Sequence, residues 1–400
     1  MRKRLLSLML VLAMVLSFTA CGSKENAATD DTTDKTTDTT GTDDTTDTAD
    51  TSDAAGLYDP VAKENIKVGV IHIGDPADGA GYTFAHDQGI VAMQTELGLS
   101  DSQIIRKNNV NDADAVAIRT AIEECLEEDC NIIFGTSWGY MDTMSDLAAE
   151  YPDVIFSHCS GYKSNGSNFN NYFGRIYQAR YLAGIAAGLK TQSDKIGFVA
   201  AMGIDNSEVT GGINAFAMGV ESVNPEAKVY VKVTNTWFDP TLEQQAAEAL
   251  LDMGCDVIGQ HADTTAPQLA AEARGVWGVG YNSDMTKDAP AAHLTAPVWH
   301  WGAYYTAAVK SVIDGTWTGE NYFGGMTEGL VDVSPLSANV ADGTAEAVDA
   351  AKAKILDGFK VFEGPITDNA GNQIAAEGEA LSDADITGAM NWYYRNVVVQ

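Results

Sequence analysis

The sequence predicts an α/β protein with two doubly wound lobes, which are joined by a hinge and separated by a ligand cleft. From residue 65 onward, short β-rich apolar runs alternate with amphipathic helical stretches, a pattern typical of parallel sheets with crossover helices. The alternation occurs in two successive series, and a chain of 400 residues is long enough for two domains. We therefore assign one lobe to each series.

The first series predicts lobe 1, which we assign to residues 65–193 with part of 285–335. Its predicted strands are the apolar runs KVGVIHI (67–73), QIIRK (103–107), NIIFG (131–135) and VIFSH (154–158). The helical patterns between these runs cover residues 84–96, 113–127 and 140–151.

The second series predicts lobe 2, which we assign to residues 194–284 with part of 336–400. Its predicted strands are KIGFVAAM (195–202), VYVKV (229–233), DVIGQ (256–260) and WGVGY (277–281), with helices over 210–223, 241–253 and 267–274. Between the lobes, ARYLAGIAAG (179–188) predicts a close-packed buried helix. We expect the chain to cross between the lobes near residues 174–194, 283–297 and 325–340.

The amino-terminal residues predict export and lipid attachment. Residues 1–20 combine a basic start, an apolar run over 5–18 and a small pair of residues, which is the layout of a secretory signal. Cys21 follows directly and resembles the lipidated cysteine of a bacterial lipobox; the alternative is a plain signal with an incidental cysteine. Residues 21–64 then form a Thr/Asp-rich segment, which we predict to be a disordered tether because it has too little apolar surface to fold.

Composition and motifs exclude several function classes. The net charge is −32, and no basic cluster beyond residue 4 would bind a nucleic-acid polymer. No metal or cofactor motif is present, so we expect no cofactor. Cys125, Cys130, Cys159 and Cys255 match no zinc spacing. We predict buried free thiols, with a Cys125–Cys130 contact across a helix end as the alternative.

One enzyme motif needs consideration. Residues 135–139, GTSWG, match the G-x-S-x-G pattern of a serine nucleophile after a strand. A hydrolase would need a base, for which His261, His293 and His300 are the candidates, and an oxyanion hole. No HGGG-type segment precedes Ser137, so we expect no enzyme. A secreted serine hydrolase using Ser137 remains the less favoured alternative to a serine that caps the helix or binds a ligand.

Aromatic and polar residues at the predicted strand ends form the candidate ligand site. In open α/β sheets, ligands bind beyond the carboxyl ends of the strands, and an aromatic side chain stacked on a base contributes about 1 to 3 kcal/mol. The candidate stacking residues are Tyr82, Trp138, Trp237 and Trp299, each with core packing as the alternative role. The candidate polar contacts are Thr83, Ser137, Asp263 and Asn282.

Longer segments carry a family resemblance over residues 67–397. They are GAGYTFAHDQG (79–89), GTSWGYMD (135–142), YFGRIYQARYLAG (172–184), GGINAFAMG (211–219), VNPEAKVYVKVTNTWFDP (223–240), QHADTTAP (260–267), VGYNSDM (279–285) and VWHWGAYY (298–305). With these segments the chain resembles basic membrane protein family lipoproteins, the purine-type substrate-binding components of ABC transporters. The resemblance implies a type I periplasmic-binding-protein fold and ligand capture without chemistry.

The resemblance also implies roles for single residues. Tyr82 falls where the nucleoside-binding branch has a phenylalanine that stacks on the base, and Trp237 falls on the aromatic residue of the second lobe. Asn282 replaces the acidic residue that binds ribose, and Trp299 replaces a lysine near the lobe crossing. These replacements favour a free purine base or a similar heterocycle, with a nucleoside as the alternative.

The implied function is that of a membrane-tethered solute-binding protein of an ABC importer. The lobes are expected to close on the ligand by a hinge motion, and the closed form delivers it to the ABC permease subunits. We expect a monomer held at the outer face of the cell membrane by lipid on Cys21. A sensor or receptor lipoprotein that binds the same ligand is the alternative.

Overall fold

The computed structural model describes residues 56–400. The predicted signal peptide, Cys21 and most of the predicted tether lie outside the described residues. The tether prediction extends too far at its carboxyl end, because Gly56 and Leu57 donate backbone hydrogen bonds to the carbonyls of Gly315 and Trp317. No helix within residues 56–400 is long and apolar enough to cross a membrane.

The described strands are short and most are buried. In chain order they are β1 Val68–Ile71, β2 Ile104–Lys107, β3 Ile132–Gly135, β4 Ile155–Cys159, β5 Phe169–Gly174, β6 Lys195–Ala200, β7 Lys228–Val233, β8 Val257–His261, β9 Trp277–Val279, β10 His293–Thr295, β11 Pro297–Trp299, β12 Tyr322–Gly324, β13 Val331–Val333, β14 Ile366–Thr367, β15 Gln373–Ala375 and β16 Val397–Val399. All eight strands expected from the sequence are found. The additional strands are shorter or more polar than the predicted runs, so they lack a clear apolar signal.

Helices connect most of these strands. In chain order they are α1 Gly81–Leu97, α2 Ala115–Glu127, α3 Met141–Glu150, α4 Ile176–Lys190, α5 Ser207–Val223, α6 Pro240–Asp252, α7 Ala266–Ala273, α8 Gly302–Asp314, α9 Thr344–Leu356 and α10 Asp383–Gly388. Local sequence explains several starts: the Asp114 carboxylate accepts from the second and third backbone N–H groups of α2, and Asp239 followed by Pro240 begins α6.

Two six-stranded parallel sheets form the framework. Lobe 1 contains strands in the order β12-β5-β4-β3-β1-β2, and lobe 2 contains β10-β9-β8-β6-β7-β16. The central strands β1, β3, β4 and β8 are buried along their whole length, as expected when helices cover both faces of a parallel sheet. The predicted α/β class with two doubly wound lobes is confirmed.

The chain passes between the sheets three times: between β5 and β6, between β10 and β12, and between β12 and β16. Strands β11 and β13, from the second and third passages, pair with each other in antiparallel register. The structure therefore has a two-stranded ribbon at the connection between the lobes.

Small residues in helix α4 allow it to pack closely against helix α5. A Cβ on Gly184 would lie 2.1 Å from the Phe216 carbonyl oxygen, and one on Gly219 would lie 2.0 Å from the Tyr181 carbonyl oxygen. Helices α4 and α5 therefore approach each other at backbone distance, which confirms the close-packed buried helix expected from ARYLAGIAAG. Because α4 packs on α5 and on the lobe 2 sheet, we assign it to lobe 2, earlier than the boundary placed after residue 193.

Candidate ligand-binding cleft

A cleft of about 940 Å³ lies where the carboxyl ends of strands from both lobes face each other. Lobe 1 contributes residues that follow β1, β3 and β4, and lobe 2 contributes residues that follow β6, β7, β8 and β9. Helix α10 supplies a further part of the wall. This is the location where open α/β sheets bind ligands, and the volume suits a small organic molecule.

Aromatic side chains form much of the cleft wall. They are Tyr82, Trp138, Tyr162, Phe173, Tyr177, Trp237, Tyr281, Tyr322 and Phe323. Three of the four aromatic residues proposed from the sequence are in this set. Trp138 is 55% exposed, and its ring lies 5.8 Å from that of Tyr162. The wall therefore offers aromatic faces from both lobes.

The structure does not bring Trp299 to the cleft wall. Its side chain is only 5% exposed and stacks on Trp301, with ring centroids 4.3 Å apart and planes inclined by 12°. Trp299 also packs at 5.1 Å against Phe173, which does line the cleft. Trp299 therefore packs behind Phe173 and supports this residue of the cleft wall.

Two of the four polar candidates also lie outside the cleft lining. The Thr83 hydroxyl accepts a hydrogen bond from the Gly74 backbone N–H at 3.2 Å, which ties the start of α1 to the loop after β1. Asn282 is 1% exposed and donates from Nδ2 to Asp263 Oδ1 at 2.8 Å. Asn282 therefore orients Asp263, which does line the cleft.

Ser137 lines the cleft but lacks the geometry of an activated nucleophile. Its hydroxyl donates to Asp112 Oδ2 at 2.7 Å, and its backbone is extended, with φ −131° and ψ 146°. A nucleophile elbow would instead place the serine on a sharp, strained turn. Of the two non-catalytic roles considered for Ser137, capping of the following helix is wrong, because its side chain makes no capping hydrogen bond; ligand binding stays a prediction.

The histidine that hydrogen-bonds to Ser137 is His158, which was not among the three histidines considered as the catalytic base. His158 donates from Nε2 to the Ser137 carbonyl oxygen at 2.7 Å, and burial lowers the pKa of His158 to about 4. Among residues 56–400, His261 instead lies beside Glu208, and His293 is buried near Asp284. The described residues thus show no serine–histidine pair at this motif.

The first residue of α1, Gly81, touches lobe 2 directly. Gly81 has φ +80°, and a Cβ at this position would lie 2.4 Å from the Asp263 carbonyl oxygen. The Gly81 backbone N–H also donates to the Ser283 hydroxyl at 3.4 Å. The next residue, Tyr82, lines the cleft and donates its hydroxyl to Cys159 Sγ at 3.4 Å. A side chain at Gly81 would therefore separate the two lobes at this contact.

Lobe 2 supplies a cluster of ionisable groups at the cleft. Burial raises the pKa of Glu208 to about 7, with a further contribution from the nearby Asp263 charge. Burial also raises the pKa of Asp263 to about 7, against the lowering effect of its hydrogen bond from Asn282. His261 Nε2 lies 3.4 Å from Glu208 Oε1, and burial keeps the pKa of His261 well below its usual value.

A buried arginine lies behind this cluster. The Arg180 guanidinium lies over the Tyr281 ring at 3.8 Å and donates from Nη1 to the Gln260 carbonyl oxygen. Its Nε and Nη2 atoms have no hydrogen-bond partner within the described residues. Burial lowers the pKa of Arg180 to about 10, so it stays positively charged at neutral pH.

Sequence reasoning missed several lining residues for identifiable reasons. Glu208 follows β6 and so satisfies the strand-end rule, but a single acidic residue in a polar segment has no further sequence signal. Phe173 lies in β5, where two asparagines interrupt the apolar residues. Helix α10 comes from a carboxyl-terminal segment whose position depends on tertiary contacts, including the ion pair between Arg175 Nη2 and Asp383 Oδ2 at 2.6 Å.

Comparison with known proteins agrees with this geometry. Residues 66–363 match the Bmp family model, described as ABC transporter substrate-binding protein PnrA-like. The chain belongs to the Bmp family. As a Bmp-family substrate-binding protein it has a solute-binding role, and the family implies a location outside the cytoplasm. Within residues 56–400, no group of three or more His, Cys, Asp or Glu side chains is arranged to hold a metal ion.

Two relatives and one solved structure show the extent of the similarity. A purine-binding protein of Brucella abortus is 39% identical over 84% of this chain and 94% of its own length. A putative ABC transporter glucose-binding protein of Haloferax volcanii is 37% identical over 74% of each chain. An ABC transporter solute-binding protein from Conexibacter woesei superposes with a TM-score of 0.62 at 22% identity, covering 73% of this chain and 97% of that one. The last match supports the two-lobed fold expected for a periplasmic binding protein.

Proposed function

We propose that this Bmp-family protein captures a free purine base, or a closely similar heterocycle, between its two lobes and delivers it to an ABC permease. The observation that carries the proposal is the cleft wall, where aromatic side chains from both lobes face one space. A planar heterocycle gains about 1 to 3 kcal/mol from each aromatic face on which it stacks. The purine-binding relative from Brucella abortus supports the same ligand class.

Lobe closure would place the ligand between stacking residues of opposite lobes. Tyr82 belongs to lobe 1 and Trp237 to lobe 2, and both line the cleft. The Gly81–Asp263 approach is the contact that closure would form and opening would break. Hinge motions of this kind concentrate the backbone change in a few connecting residues, for which the passages around β11 and β13 are our candidates.

A base is favoured over its nucleoside because the two positions that the family resemblance relates to the nucleoside ligand lie outside the cleft lining. Asn282, at the position that the family resemblance relates to ribose binding, is buried and bonded to Asp263. Its Nδ2 group is therefore engaged by a protein partner. Trp299, which replaces the lysine of the nucleoside branch, lies behind Phe173 and offers no charged group to a sugar.

We also propose that lipid on Cys21 holds the protein at the outer face of the cell membrane as a monomer. A stable anchor needs two acyl chains or a second membrane signal, which a diacylated cysteine would provide. Labelling growing cells with an alkyne fatty acid tests this anchor. The wild-type protein should incorporate the label and the Cys21→Ser variant should not; equal labelling of both would contradict the proposal.

A sugar-binding role is the second candidate, because one relative is described as a putative glucose-binding protein. Sugars also pack on aromatic faces and bond to carboxylates, so the cleft chemistry alone does not separate the two ligand classes. A sensor role would use the same cleft and would differ in the partner that recognises the closed form.

Thermal-shift measurements on the Cys21→Ser protein test the proposed ligand. The arms are adenine, guanine and hypoxanthine, their nucleosides, glucose, and a set of amino acids. A ligand that binds only the folded state raises the melting temperature by mass action. We expect the bases to raise it and the other compounds to have little effect. A shift with nucleosides equal to that with bases would contradict base selectivity, and a shift with glucose alone would replace the purine proposal.

A further inference from the structure

The charged side chains that line the cleft are all acidic. Five carboxylates belong to the lining, and no lysine, arginine or histidine does so among residues 56–400: Asp112, Asp205, Glu208, Asp263 and Asp383. Asp383 is paired with Arg175, and Asp112 accepts a hydrogen bond from Ser137. The two acids of the lobe 2 cluster, Glu208 and Asp263, make no such pair with a lysine or arginine.

Several groups set the ionisation of this acid pair. Arg180 on α4 provides a buried positive charge behind it, and His261 at the end of β8 lies against Glu208 but stays neutral. Glu243 on α6 adds negative charge near Asp263, whereas Asn282, after β9, donates a hydrogen bond to Asp263. Neither acid is therefore neutralised by direct contact with a cation.

Unpartnered polar atoms around the pair indicate where a ligand would be recognised. Arg180 Nε and Nη2, His261 Nδ1 and Asn282 Oδ1 are buried without hydrogen-bond partners in the described residues. Most buried polar atoms in folded proteins are bonded, so such a concentration beside one cleft is unusual. The carboxylate oxygens of Glu208 and Asp263 are the members of this cluster that the cleft exposes to a ligand.

We propose that Glu208 and Asp263 form an acid pair that selects ligands by charge, binding neutral or protonated heterocycles that donate N–H groups and rejecting anionic ones. The inference rests on the proposed function and specifies its ligand chemistry. A free base with exchangeable ring and exocyclic N–H groups fits the pair. A phosphorylated nucleotide or a purine that is anionic at neutral pH brings like charge into a partly desolvated site, which is strongly unfavourable.

Binding should then be linked to proton release. Because the pKa values of both acids are about 7 in the ligand-free protein, each carries a proton part of the time at neutral pH. An N–H donor stabilises the ionised carboxylate, so the carboxyl proton passes to the solvent when the ligand binds. Affinity for such a ligand should increase with pH through this range.

Isothermal titration calorimetry on the Cys21→Ser protein tests the charge selection. Adenine is the neutral purine, urate the anionic purine, and adenosine 5′-monophosphate the phosphorylated ligand. We expect the two anions to bind at least about 100-fold more weakly than adenine, because each brings a negative charge next to the carboxylates of Glu208 and Asp263. Titration in two buffers of different ionisation enthalpy should show protons released with adenine.

Substitutions of single acids test which residues cause the proton release and the preference for adenine over urate. Glu208→Gln and Asp263→Asn should each reduce proton release and narrow the preference for adenine over urate. The matched control is Asp349→Asn, an exposed acid on α9 that does not line the cleft, which should leave both quantities unchanged. Urate binding within about threefold of adenine, or proton release that neither acid variant reduces, would overturn the acid pair.

A second measurement needs no ligand and separates this inference from the proposed function. A carboxyl whose folded pKa is raised stabilises the folded state most when it is protonated, and this contribution falls as pH rises toward the folded pKa. The melting temperature of Glu208→Gln relative to wild type should therefore rise from about pH 5 to about pH 8. A flat difference would overturn the acid pair whether or not purines bind. Absence of purine binding with the expected pH dependence would contradict the proposed function alone.

Discussion

The two lobes contribute to the cleft in different ways. On the lobe 1 side, two polar groups that line the cleft already have protein partners: Ser137 donates to Asp112, and Tyr82 donates to Cys159. On the lobe 2 side, Arg180 Nε and Nη2 and His261 Nδ1 have no partner within the described residues, and Glu208 and Asp263 ionise only near neutral pH. Lobe 1 thus offers mainly stacking faces, whereas lobe 2 offers a polar site that a ligand can complete.

Gly81→Ala should have the largest effect on ligand affinity, because Gly81 makes a direct contact between lobe 1 and lobe 2. A Cβ at Gly81 would lie 2.4 Å from the Asp263 carbonyl oxygen, so Gly81→Ala should keep the lobes apart. We expect this clash to destabilise the closed, ligand-bound state and to lower ligand affinity by at least about 100-fold. Calorimetric titration with the ligand found by thermal shift measures this loss.

The control for Gly81 is Gly79→Ala. Gly79 has a similar φ of +77°, but a Cβ there has no neighbour closer than 4.0 Å. Both variants carry the backbone cost of a left-handed residue, about 1 to 2 kcal/mol, but Gly79→Ala lacks the contact with lobe 2. Equal affinity of the two variants would contradict a role for the Gly81–Asp263 approach in closure.

Trp237 tests whether lobe 2 also contributes a stacking face. Trp237→Ala should weaken binding by about 1 to 3 kcal/mol, the typical loss of one base–aromatic stack. Phe238→Ala is the matched control, because Phe238 is 61% exposed and does not line the cleft. Titration calorimetry should show the loss for Trp237→Ala only. An unchanged affinity would exclude Trp237 as a stacking face.

Asn282 tests the orientation of Asp263. Asn282→Gly removes the Nδ2 hydrogen bond but tolerates the φ of +66° at this position. Because hydrogen bonds to charged groups contribute about 1.5 to 3 kcal/mol, we expect roughly a tenfold or greater loss of affinity, measured by calorimetry. The control is Asn235→Gly, which has φ +59° and an exposed side chain. If Asn235→Gly weakens binding equally, backbone freedom and not Asp263 orientation is responsible.

Ser137 should give the smallest effect. Ser137→Ala removes one hydrogen bond to Asp112, and we expect a change in affinity of about 1 kcal/mol or less. Neither wild type nor the variant should react with a fluorophosphonate probe. Covalent labelling that the wild type shows and Ser137→Ala lacks would instead support the serine hydrolase alternative.

The fold was predictable from the sequence because local signals agreed. Buried parallel strands such as Val68–Ile71 and Ile132–Gly135 appear as continuous apolar runs, and capping residues mark several helix starts. The carboxyl-terminal third was less predictable, since β12 and β16 are three-residue strands whose pairing depends on distant segments. Pattern reasoning sees local periodicity, and these strands have too few residues to show one.

The site was predictable in its location but not in every contact. The strand-end rule identified Tyr82, Ser137, Trp138, Trp237 and Asp263, all of which line the cleft. It did not separate them from Thr83, Asn282 and Trp299, which also follow or end strands but point to protein partners. The side to which a side chain turns depends on packing between elements, which one sequence does not reveal.

A crystal structure of the Cys21→Ser protein with adenine tests the central claim most directly. We expect the closed arrangement, with the purine ring stacked between Tyr82 and Trp237 and its N–H groups donating to Glu208 or Asp263. It also predicts that Trp299 remains behind Phe173 without touching the ligand. Adenine bound outside the cleft, or within it but without contact to either acid, would contradict the account.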